Sequence, residues 1–406
     1  MPKSKILGLI LKEVERQRST LNLIPSENYV STAVLRVLAS PLTNKYSEGS
    51  WGKRYYPGNC VIDDIERYTQ ELALKAFKLS PKIWSVNVQA YSGSPANLAA
   101  YLALMAPGDR LLGLSLSSGG HLTHGHPASF TGKLFRVARY EVDPKTERID
   151  YDALARLAKQ FRPKVIVSGT TSYPRQIDFQ RIGKIARSVR AYHVADISHI
   201  AGLVLAGLHP SPFPHADIVT TTTHKTLRGP RGALIMARRE FESAVNRAVF
   251  PGLQGGPHNH QTAAIGIALE EALRPNFRRY QQQIIRNAQA LATALRQYDF
   301  RLFTGGTDNH LMLIDLKPFG LTGQEAEQRL EQAAITANRN ALPGDASPFN
   351  PSGLRLGTPA VTTRGLRERE MHLVADWLQR LLMTKEPPAR IGREVRTLLR
   401  RFPLAY

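Results

Sequence analysis

The chain has 406 residues, of which 42% are hydrophobic and 21% charged, and this is the balance of an ordinary globular protein. Its length predicts two or three domains with a large core. A single cysteine, Cys60, excludes a disulfide framework and a cysteine zinc cluster within the chain. No apolar run approaches membrane-spanning length, and the first residues lack the apolar core of a signal peptide. We therefore expect a cytoplasmic protein with no membrane partner.

The charge of the chain is strongly positive, with 54 Lys and Arg against 33 Asp and Glu, a formal net charge of +21. Such a surface favours anionic partners, and nucleic acid is the obvious candidate. The basic residues are scattered, however, and their densest cluster, Arg390 to Arg401, has helical spacing. No zinc finger and no aromatic-basic signature of an RNA-binding sheet is present. Attraction of anionic cofactors explains the charge as well, so nucleic acid is not the expected partner.

The N-terminal segment, residues 1–25, predicts a short amphipathic helix followed by an extended link. Because it has too little of its own to pack on, we expect it to lie on another surface, such as a second subunit. A polar cluster follows at 26–29, and a helix is predicted from about Thr32. Residues 44–49 and 53–58 are two glycine-rich loops with tyrosines and a carboxylate, and simple surface turns are the alternative interpretation.

A strand followed by a loop of small residues predicts an anion site. The strand at 83–88 leads into Ser92, Gly93, Ser94 and Pro95, where a helix begins. Ser94 suits the N-cap, Pro95 suits the first helical position, and Gly93 lets the backbone approach a ligand. The N–H groups and the dipole of a helix start attract anions. An ordinary capped helix explains this loop equally well.

Strands alternate with helices through the next part of the chain. Strands are predicted at 110–114, 164–169, 192–196, 217–222 and 233–237, and helices at 61–77, 151–160, 179–189 and 240–248. This alternation predicts a mostly parallel sheet with helices on both faces and ligands at the carboxyl ends of the strands.

The rest of the chain predicts a smaller α+β domain. A long helix from about Gln261 is interrupted at Pro275, and strands at 311–316, 335–338 and 354–356 follow, with helices from Thr322 and Thr363. The predicted divisions are an N-terminal arm at 1–25, a large domain at 26–272 and a small domain at 273–406.

The segment from Asp217 to Ala233 carries the most informative lysine. An apolar, β-branched strand runs through four threonines to His224 and Lys225, and Gly229 with Pro230 then forces a turn. A lysine at the rim of a buried sheet loses hydration and deprotonates more easily, as a Schiff-base lysine requires. A lone lysine is otherwise usually solvated.

Three further side chains suit a cofactor and an amino-acid substrate. Asp196 ends a buried strand and, if ionised, requires a positive partner such as a protonated pyridine nitrogen, although a strand-end or capping aspartate is an equal alternative. His121, in a glycine-rich loop, suits stacking on an aromatic ring, or a structural role. Arg355 in an apolar strand suits a carboxylate, from the chain or from a substrate. Together these features are typical of a pyridoxal-phosphate enzyme of the aspartate-aminotransferase fold.

Ordered motifs make the chain closely similar to the serine hydroxymethyltransferase family from about Leu23 to about Pro359. The motifs are 26–28, 44–49, 53–56, 92–94, 119–125, Asp196 with His199, 219–232, 254–257, 305–310, 347–349 and 355–359. The resemblance implies an α/β large domain like that of aspartate aminotransferase, with a mostly parallel sheet flanked by helices, and a smaller C-terminal α+β domain.

The resemblance also implies roles for individual residues. Lys225 carries pyridoxal 5'-phosphate, Asp196 pairs with the pyridine nitrogen, and His121 stacks on the ring. The other cofactor contacts are Ser92, Gly93, Ser94, Thr171, Ser198, His199, His224 and, from a second subunit, Tyr46, Gly255 and Gly256. Substrate binding and catalysis involve Ser26 and Arg355 on the carboxylate, His199, Thr222, and Glu48 from the partner subunit as the proton-transfer group beside Tyr56. The folate site is lined by Leu116, Gly120, Leu122, Ser347, Pro348 and Phe349. No metal is implied.

The implied reaction is the reversible conversion of serine and tetrahydrofolate to glycine and 5,10-methylenetetrahydrofolate, in a homodimer or tetramer with shared active sites. Tyr91, Thr171 and Ser198 depart from the histidine, serine and alanine common in the family, which bears on cofactor affinity and not on the reaction class. Two alternatives remain. A folate-independent aldolase for β-hydroxy amino acids would not need Glu48, and a basic nucleic-acid-binding protein with an inactive enzyme fold would not need an intact Lys225.

Overall fold

The computed structural model describes residues 4–345 and 350–406. The chain divides into two compact units. We call Asn28–Gln281 the large unit, and Met1–Glu27 together with Gln282–Tyr406 the small unit. No helix within the described ranges is long and apolar enough to cross a membrane.

The strands are, in chain order, β1 (Leu21–Asn22), β2 (Gly49–Ser50), β3 (Lys53–Arg54), β4 (Trp84–Asn87), β5 (Arg110–Leu114), β6 (Arg136–Tyr140), β7 (Val165–Ser168), β8 (Tyr192–Asp196), β9 (Ile218–Thr222), β10 (Ala233–Arg238), β11 (Arg301–Leu302), β12 (Leu311–Asp315), β13 (Ile335–Thr336), β14 (Asn338–Asn340) and β15 (Gly353–Gly357).

The α-helices are α1 (Lys5–Ser19), α2 (Thr32–Leu38), α3 (Cys60–Ala76), α4 (Gly93–Leu104), α5 (Phe130–Leu134), α6 (Tyr151–Phe161), α7 (Phe179–Ser188), α8 (Ala201–Leu205), α9 (Glu242–Arg247), α10 (Asn259–Ala272), α11 (Pro275–Gln297), α12 (Gly323–Gln332), α13 (Pro359–Thr363), α14 (Glu368–Leu382) and α15 (Pro388–Arg400). Short 3-10 or π-type turns lie at Pro41–Asn44, Leu122–His124, Arg239–Phe241, Ala248–Leu253, Phe303–Gly305 and Lys317–Phe319.

The large unit is built on a seven-stranded sheet of order β4-β10-β9-β8-β7-β5-β6. Neighbours from β9 to β6 are parallel, whereas β10 is antiparallel to both β9 and β4. Every residue of β9 is buried, as expected of a strand covered on both faces. The predicted α/β class with a mostly parallel sheet is therefore confirmed. Asp196 on β8 pairs with Thr220 on β9, so the carboxyl ends of these two strands lie side by side.

The small unit contains a four-stranded antiparallel sheet of order β11-β12-β15-β14. The extended residues Leu21 and Leu23 belong to its hydrophobic core, together with Trp377 of α14 and Val395 of α15. In contrast, α1 buries no residue in this chain, and its large apolar side chains are exposed. Its docking on another surface stays a prediction.

Two predicted details are wrong, and one strand of the sheet is missed. Ser92, and not Ser94, is the N-cap of α4, which starts at Gly93, two residues before the predicted position. Thr363 is predicted to begin a helix, but it is the last residue of the short helix α13. Gly365 adopts a left-handed conformation (φ +98°) and stops α13, so the next helix, α14, begins only at Glu368. Strand β6 was not predicted, because its sequence has two exposed arginines and no buried apolar run.

Candidate active site

Lys225 lies three residues beyond the end of β9 and is 8% exposed. Its backbone is held firmly, since its carbonyl oxygen accepts hydrogen bonds from Arg228 N at 3.0 Å and from Asn28 Nδ2 at 2.9 Å. The hydroxyl of the next residue, Thr226, donates to the carbonyl of His199 at 3.0 Å. The turn after β9 therefore fixes the lysine backbone at the carboxyl edge of the sheet, where the sequence predicts it.

Asp196 ends β8 and is also 8% exposed. Its Oδ2 accepts from Asn97 Nδ2 at 2.8 Å and from His124 Nε2 at 3.2 Å, and its Oδ1 accepts from Ser198 N at 3.0 Å. Burial by itself raises the pKa of this carboxyl, but the hydrogen bonds, that from His124 first, bring the pKa well below its usual range. A buried carboxylate thus stays ionised at neutral pH at the carboxyl end of β8, the strand next to β9.

His121 is a neutral imidazole in this setting. Burial, and then the neighbouring His124, lower its pKa to about 4. The Thr123 hydroxyl lies 2.7 Å from His121 Nδ1, and Thr123 N donates to the same nitrogen at 3.2 Å. Because Nδ1 acts as an acceptor, these contacts assign the ring hydrogen to Nε2. An uncharged ring of this kind is suited to stacking on an aromatic cofactor.

Two residues missed from the sequence connect these groups. Asn97 Nδ2 donates to both Asp196 and the Thr123 hydroxyl, and its Oδ1 accepts from the Thr220 hydroxyl at 2.5 Å. His124 accepts from His121 N at Nδ1 and donates to Asp196 through Nε2. The signal for Asn97 was its position one helical turn after Gly93, which places both on one face of α4.

The start of α4 packs closely against the end of β9. A Cβ atom on Gly93 would lie 2.6 Å from Thr222 Cγ2, so only glycine fits there. Ser92 occupies the N-cap position of α4, but its hydroxyl makes no hydrogen bond to the helix backbone. Nearby, Thr222 N donates to the Ser198 hydroxyl at 3.0 Å. The Thr222 hydroxyl is buried and has no hydrogen-bond partner in the described part of the chain. A helix N-terminus surrounded by hydroxyl groups fits the phosphate of pyridoxal phosphate.

The remaining predicted residues of the large unit lie around the same strand ends. His199 is buried, and burial lowers the pKa of His224 to about 3. The Thr171 hydroxyl donates to the Gly120 carbonyl at 2.9 Å. Leu116, Gly120 and Leu122 share the loop that follows β5, and Gly120 is packed so closely on the carbonyl of Leu114 that no side chain fits.

A second cluster gathers the residues predicted to serve a neighbouring subunit. The Tyr46 hydroxyl lies 3.3 Å from Glu48 Oε1, and the Tyr46 and Tyr56 rings are 5.0 Å apart. A Cβ on Gly255 would lie 3.2 Å from Glu48 Oε1, and one on Gly256 would lie 3.2 Å from Tyr46 Cε1. Both tyrosines are exposed in this chain. The fold therefore brings all five residues together at a surface.

The small unit contains the predicted carboxylate-binding pair. Arg355 lies on β15 and donates through Nε to Asn338 Oδ1 at 3.1 Å; burial lowers its pKa to about 10, so it remains charged at neutral pH. Gly357 N donates to the Leu23 carbonyl at 2.7 Å. This bond places the segment that carries Ser26 alongside the end of β15. Ser347, Pro348 and Phe349, the other predicted folate contacts, lie outside the described residues.

Comparison with known proteins identifies the family. The profile of the family described as serine hydroxymethyltransferase matches residues 2–378. A curated protein named serine hydroxymethyltransferase, from Sorangium cellulosum (strain So ce56), is 53% identical over 403 residues, covering 98% of this chain and 94% of that protein. The chain belongs to the serine hydroxymethyltransferase family. Enzymes of this family depend on pyridoxal phosphate and use tetrahydrofolate as co-substrate, so the chain is a one-carbon transferase of this class.

Family membership confirms the resemblance, the activity class and the cofactors predicted from the sequence. Nothing in these comparisons favours the folate-independent aldolase or the nucleic-acid-binding protein. The roles of individual residues and the subunit arrangement stay predictions.

Proposed function

We propose that the chain converts serine and tetrahydrofolate to glycine and 5,10-methylenetetrahydrofolate, reversibly and in the cytoplasm, with pyridoxal phosphate held by Lys225. One observation carries the proposal. Buried Lys225 and ionised Asp196 lie at the carboxyl ends of two adjacent parallel strands, β9 and β8. Pyridoxal phosphate, when bound, supplies an electron sink for the bond broken at the substrate α-carbon.

The residues of the large unit would bind and orient the cofactor. Asp196 would hold the ring nitrogen in its protonated form, because the carboxylate is ionised and buried. His121, a neutral imidazole, would stack on the ring. The N-terminus of α4, with Ser92, Gly93 and Ser94, binds the phosphate. Ser198, Thr222, Thr171, His199 and His224 complete the surroundings.

Substrate recognition would use further residues of this chain and residues of a second subunit. Arg355 and Ser26 bind the substrate carboxylate, for which a charged, buried arginine with a planar fork of donors is suited. Glu48, with Tyr56 beside it, moves the proton of the serine hydroxyl. In a homodimer, Tyr46, Glu48, Gly255 and Gly256 complete the partner's site, and the exposure of Tyr46 and Tyr56 in a single chain supports this arrangement. Leu116, Gly120 and Leu122 line the folate site, with Ser347, Pro348 and Phe349.

Absorbance spectra of the purified protein test this proposal. The spectrum is recorded with pyridoxal phosphate, then with glycine, and then with glycine plus tetrahydrofolate, with Lys225→Ala as the control. We expect a visible cofactor band in the wild type only, joined by a strong longer-wavelength band when folate is added. A cofactor band that folate leaves unchanged would favour the aldolase, and no band at all would refute the assignment of Lys225.

A further inference from the structure

Tyr91, immediately before the predicted phosphate-binding residues Ser92 to Ser94, is bound to the segment that carries Gly255 and Gly256. The Gln254 side chain makes two of the connections: its Oε1 accepts from Tyr91 N at 3.0 Å, and its Nε2 donates to the Gln89 carbonyl at 2.8 Å. The third is made by Tyr91 itself, whose hydroxyl donates to the Gly256 carbonyl at 2.7 Å.

An aromatic stack supports the same connection. The Tyr91 ring lies parallel to the imidazole of His258, with 4.2 Å between ring centroids and 3° between planes. His258 in turn lies nearly parallel to His260, at 6.0 Å. Burial, with Tyr46 and Glu48 nearby, raises the pKa of Tyr91, so its hydroxyl remains protonated and able to donate at physiological pH.

We propose that Tyr91 is a positioning residue that fixes Gly255 and Gly256 relative to Ser92, Gly93 and Ser94. A change in one of these two segments when phosphate binds is then transmitted to the other segment of the same chain. The proposal rests on the proposed function. If Gly255 and Gly256 reach the neighbouring subunit's cofactor, Tyr91 connects the phosphate site of one subunit with that of the other.

Tyrosine is suited to this task in a way that histidine, common at this position in the family, is not. The phenol oxygen lies outside the ring, where it reaches the Gly256 carbonyl while the ring stacks on His258. An imidazole carries its donors within the ring. A histidine at position 91 could therefore still stack on His258 but could not reach the Gly256 carbonyl with a hydrogen bond. The departure at Tyr91 is thus explained as an added link between the loops.

The test compares Tyr91→Phe and Tyr91→His with a matched control, Tyr140→Phe. The Tyr140 hydroxyl donates to the Val167 carbonyl at 3.0 Å inside the sheet, so the control loses the same kind of hydrogen bond away from both loops. The apoprotein of each variant is titrated with pyridoxal phosphate by absorbance, and its melting temperature is measured. We expect the dissociation constant of both Tyr91 variants to rise about 5- to 10-fold, the effect of one hydrogen bond. Tyr140→Phe should lower the melting temperature and leave the dissociation constant unchanged.

The shape of the titration tests the coupling. Wild-type protein should deviate from a single hyperbola, with a Hill coefficient different from one, and Tyr91→Phe should bring that coefficient closer to one. Wild-type affinity and curve shape in Tyr91→Phe would overturn the proposal. An equal loss of affinity in Tyr140→Phe would overturn it too, because the effect would then be general destabilisation. A wild-type protein that binds no pyridoxal phosphate would refute the proposed function itself, and this inference with it.

Discussion

His124 donates a hydrogen bond through Nε2 to Oδ2 of Asp196 at 3.2 Å, and both side chains are buried. The other ring nitrogen of His124 accepts from the backbone of His121 at 3.2 Å. These bonds hold the Asp196 carboxylate in one orientation, and its pKa, well below the usual range, keeps it negatively charged for a cationic group of the cofactor.

The charge of Asp196 should therefore be essential, and Asp196→Asn tests it. Asparagine has the same size and keeps hydrogen-bonding capacity, but it cannot stabilise a protonated ring nitrogen. We expect kcat to fall about 100- to 1,000-fold, the range for loss of a preorganised electrostatic contact. Asp217→Asn is the control, because Asp217 accepts a backbone hydrogen bond from His193 at the opposite end of β9. Near wild-type kcat in Asp196→Asn would contradict the assignment.

The close packing of Gly93 against Thr222 should leave no room for a side chain at position 93. In Gly93→Ala the new methyl group would meet Thr222 Cγ2 at 2.6 Å, which displaces the start of α4. We expect the dissociation constant for pyridoxal phosphate to rise about 10-fold or more, since overpacking costs about 1–3 kcal/mol. Adding Thr222→Ser removes the methyl group in the way and should restore part of the affinity. Gly8→Ala, in open space on α1, should not alter it. Absence of rescue by Thr222→Ser would argue against this steric explanation.

Shared active sites predict that two inactive variants complement each other. Lys225→Ala and Glu48→Gln are each expected to be inactive. When they are mixed under conditions of subunit exchange, one site of each mixed dimer contains both native residues. Random pairing should then restore about one quarter of wild-type activity. If both residues act within one chain, the mixture stays inactive, and the arrangement with Glu48 from the partner subunit is refuted.

Buried histidines should make the cofactor-free protein sensitive to acid. The Nε2 atom of His193 lies 2.7 Å from the Ser168 hydroxyl, and its Nδ1 atom lies 3.0 Å from the His215 carbonyl oxygen. Burial lowers the pKa of His193 to about 4. Because the unfolded chain has the higher pKa of about 6.5, it binds more protons between these values. The contribution of His193 to the free energy of unfolding is therefore fully present above about pH 6.5 and is lost as the pH decreases towards about 4.

From this difference in pKa, we expect His193 alone to reduce the free energy of unfolding by about 2 kcal/mol between pH 7 and pH 5. Urea unfolding at both pH values measures it. His193→Gln should show a smaller pH dependence than the wild type, and His372→Gln, at an exposed position of α14, serves as the control. An unchanged pH dependence in His193→Gln would show that other groups are responsible.

The sequence predicted the buried strands well, because continuous apolar and β-branched runs such as β8 and β9 have few alternatives. It missed β6, since the two exposed arginines of this edge strand hide any apolar pattern. The pairing of β1 with β13 joins residues more than 300 positions apart, and no local pattern indicates it.

Some residues of the candidate site can likewise be predicted from the sequence, and others cannot. Lys225 and Asp196 are predicted as site residues because a charged residue at the end of a buried strand is conspicuous, and the structure places both at such strand ends. Asn97 and His124 were missed because their importance comes from what they touch: each is an ordinary polar residue in the sequence and a direct donor to Asp196 in the fold. The N-cap of α4 is predicted wrongly at Ser94, because Pro95 is a favoured first residue of a helix, whereas the helix of the structure already begins at Gly93 and has Ser92 as its N-cap.

The central claim is that Lys225 is the residue that holds pyridoxal phosphate. Borohydride reduction of the reconstituted protein fixes the cofactor on whichever lysine carries it, and peptide mass mapping then identifies that lysine. We predict a single modified peptide that contains Lys225, absent when serine is added in excess before reduction. Modification at another lysine, or none at all, would contradict the proposed site.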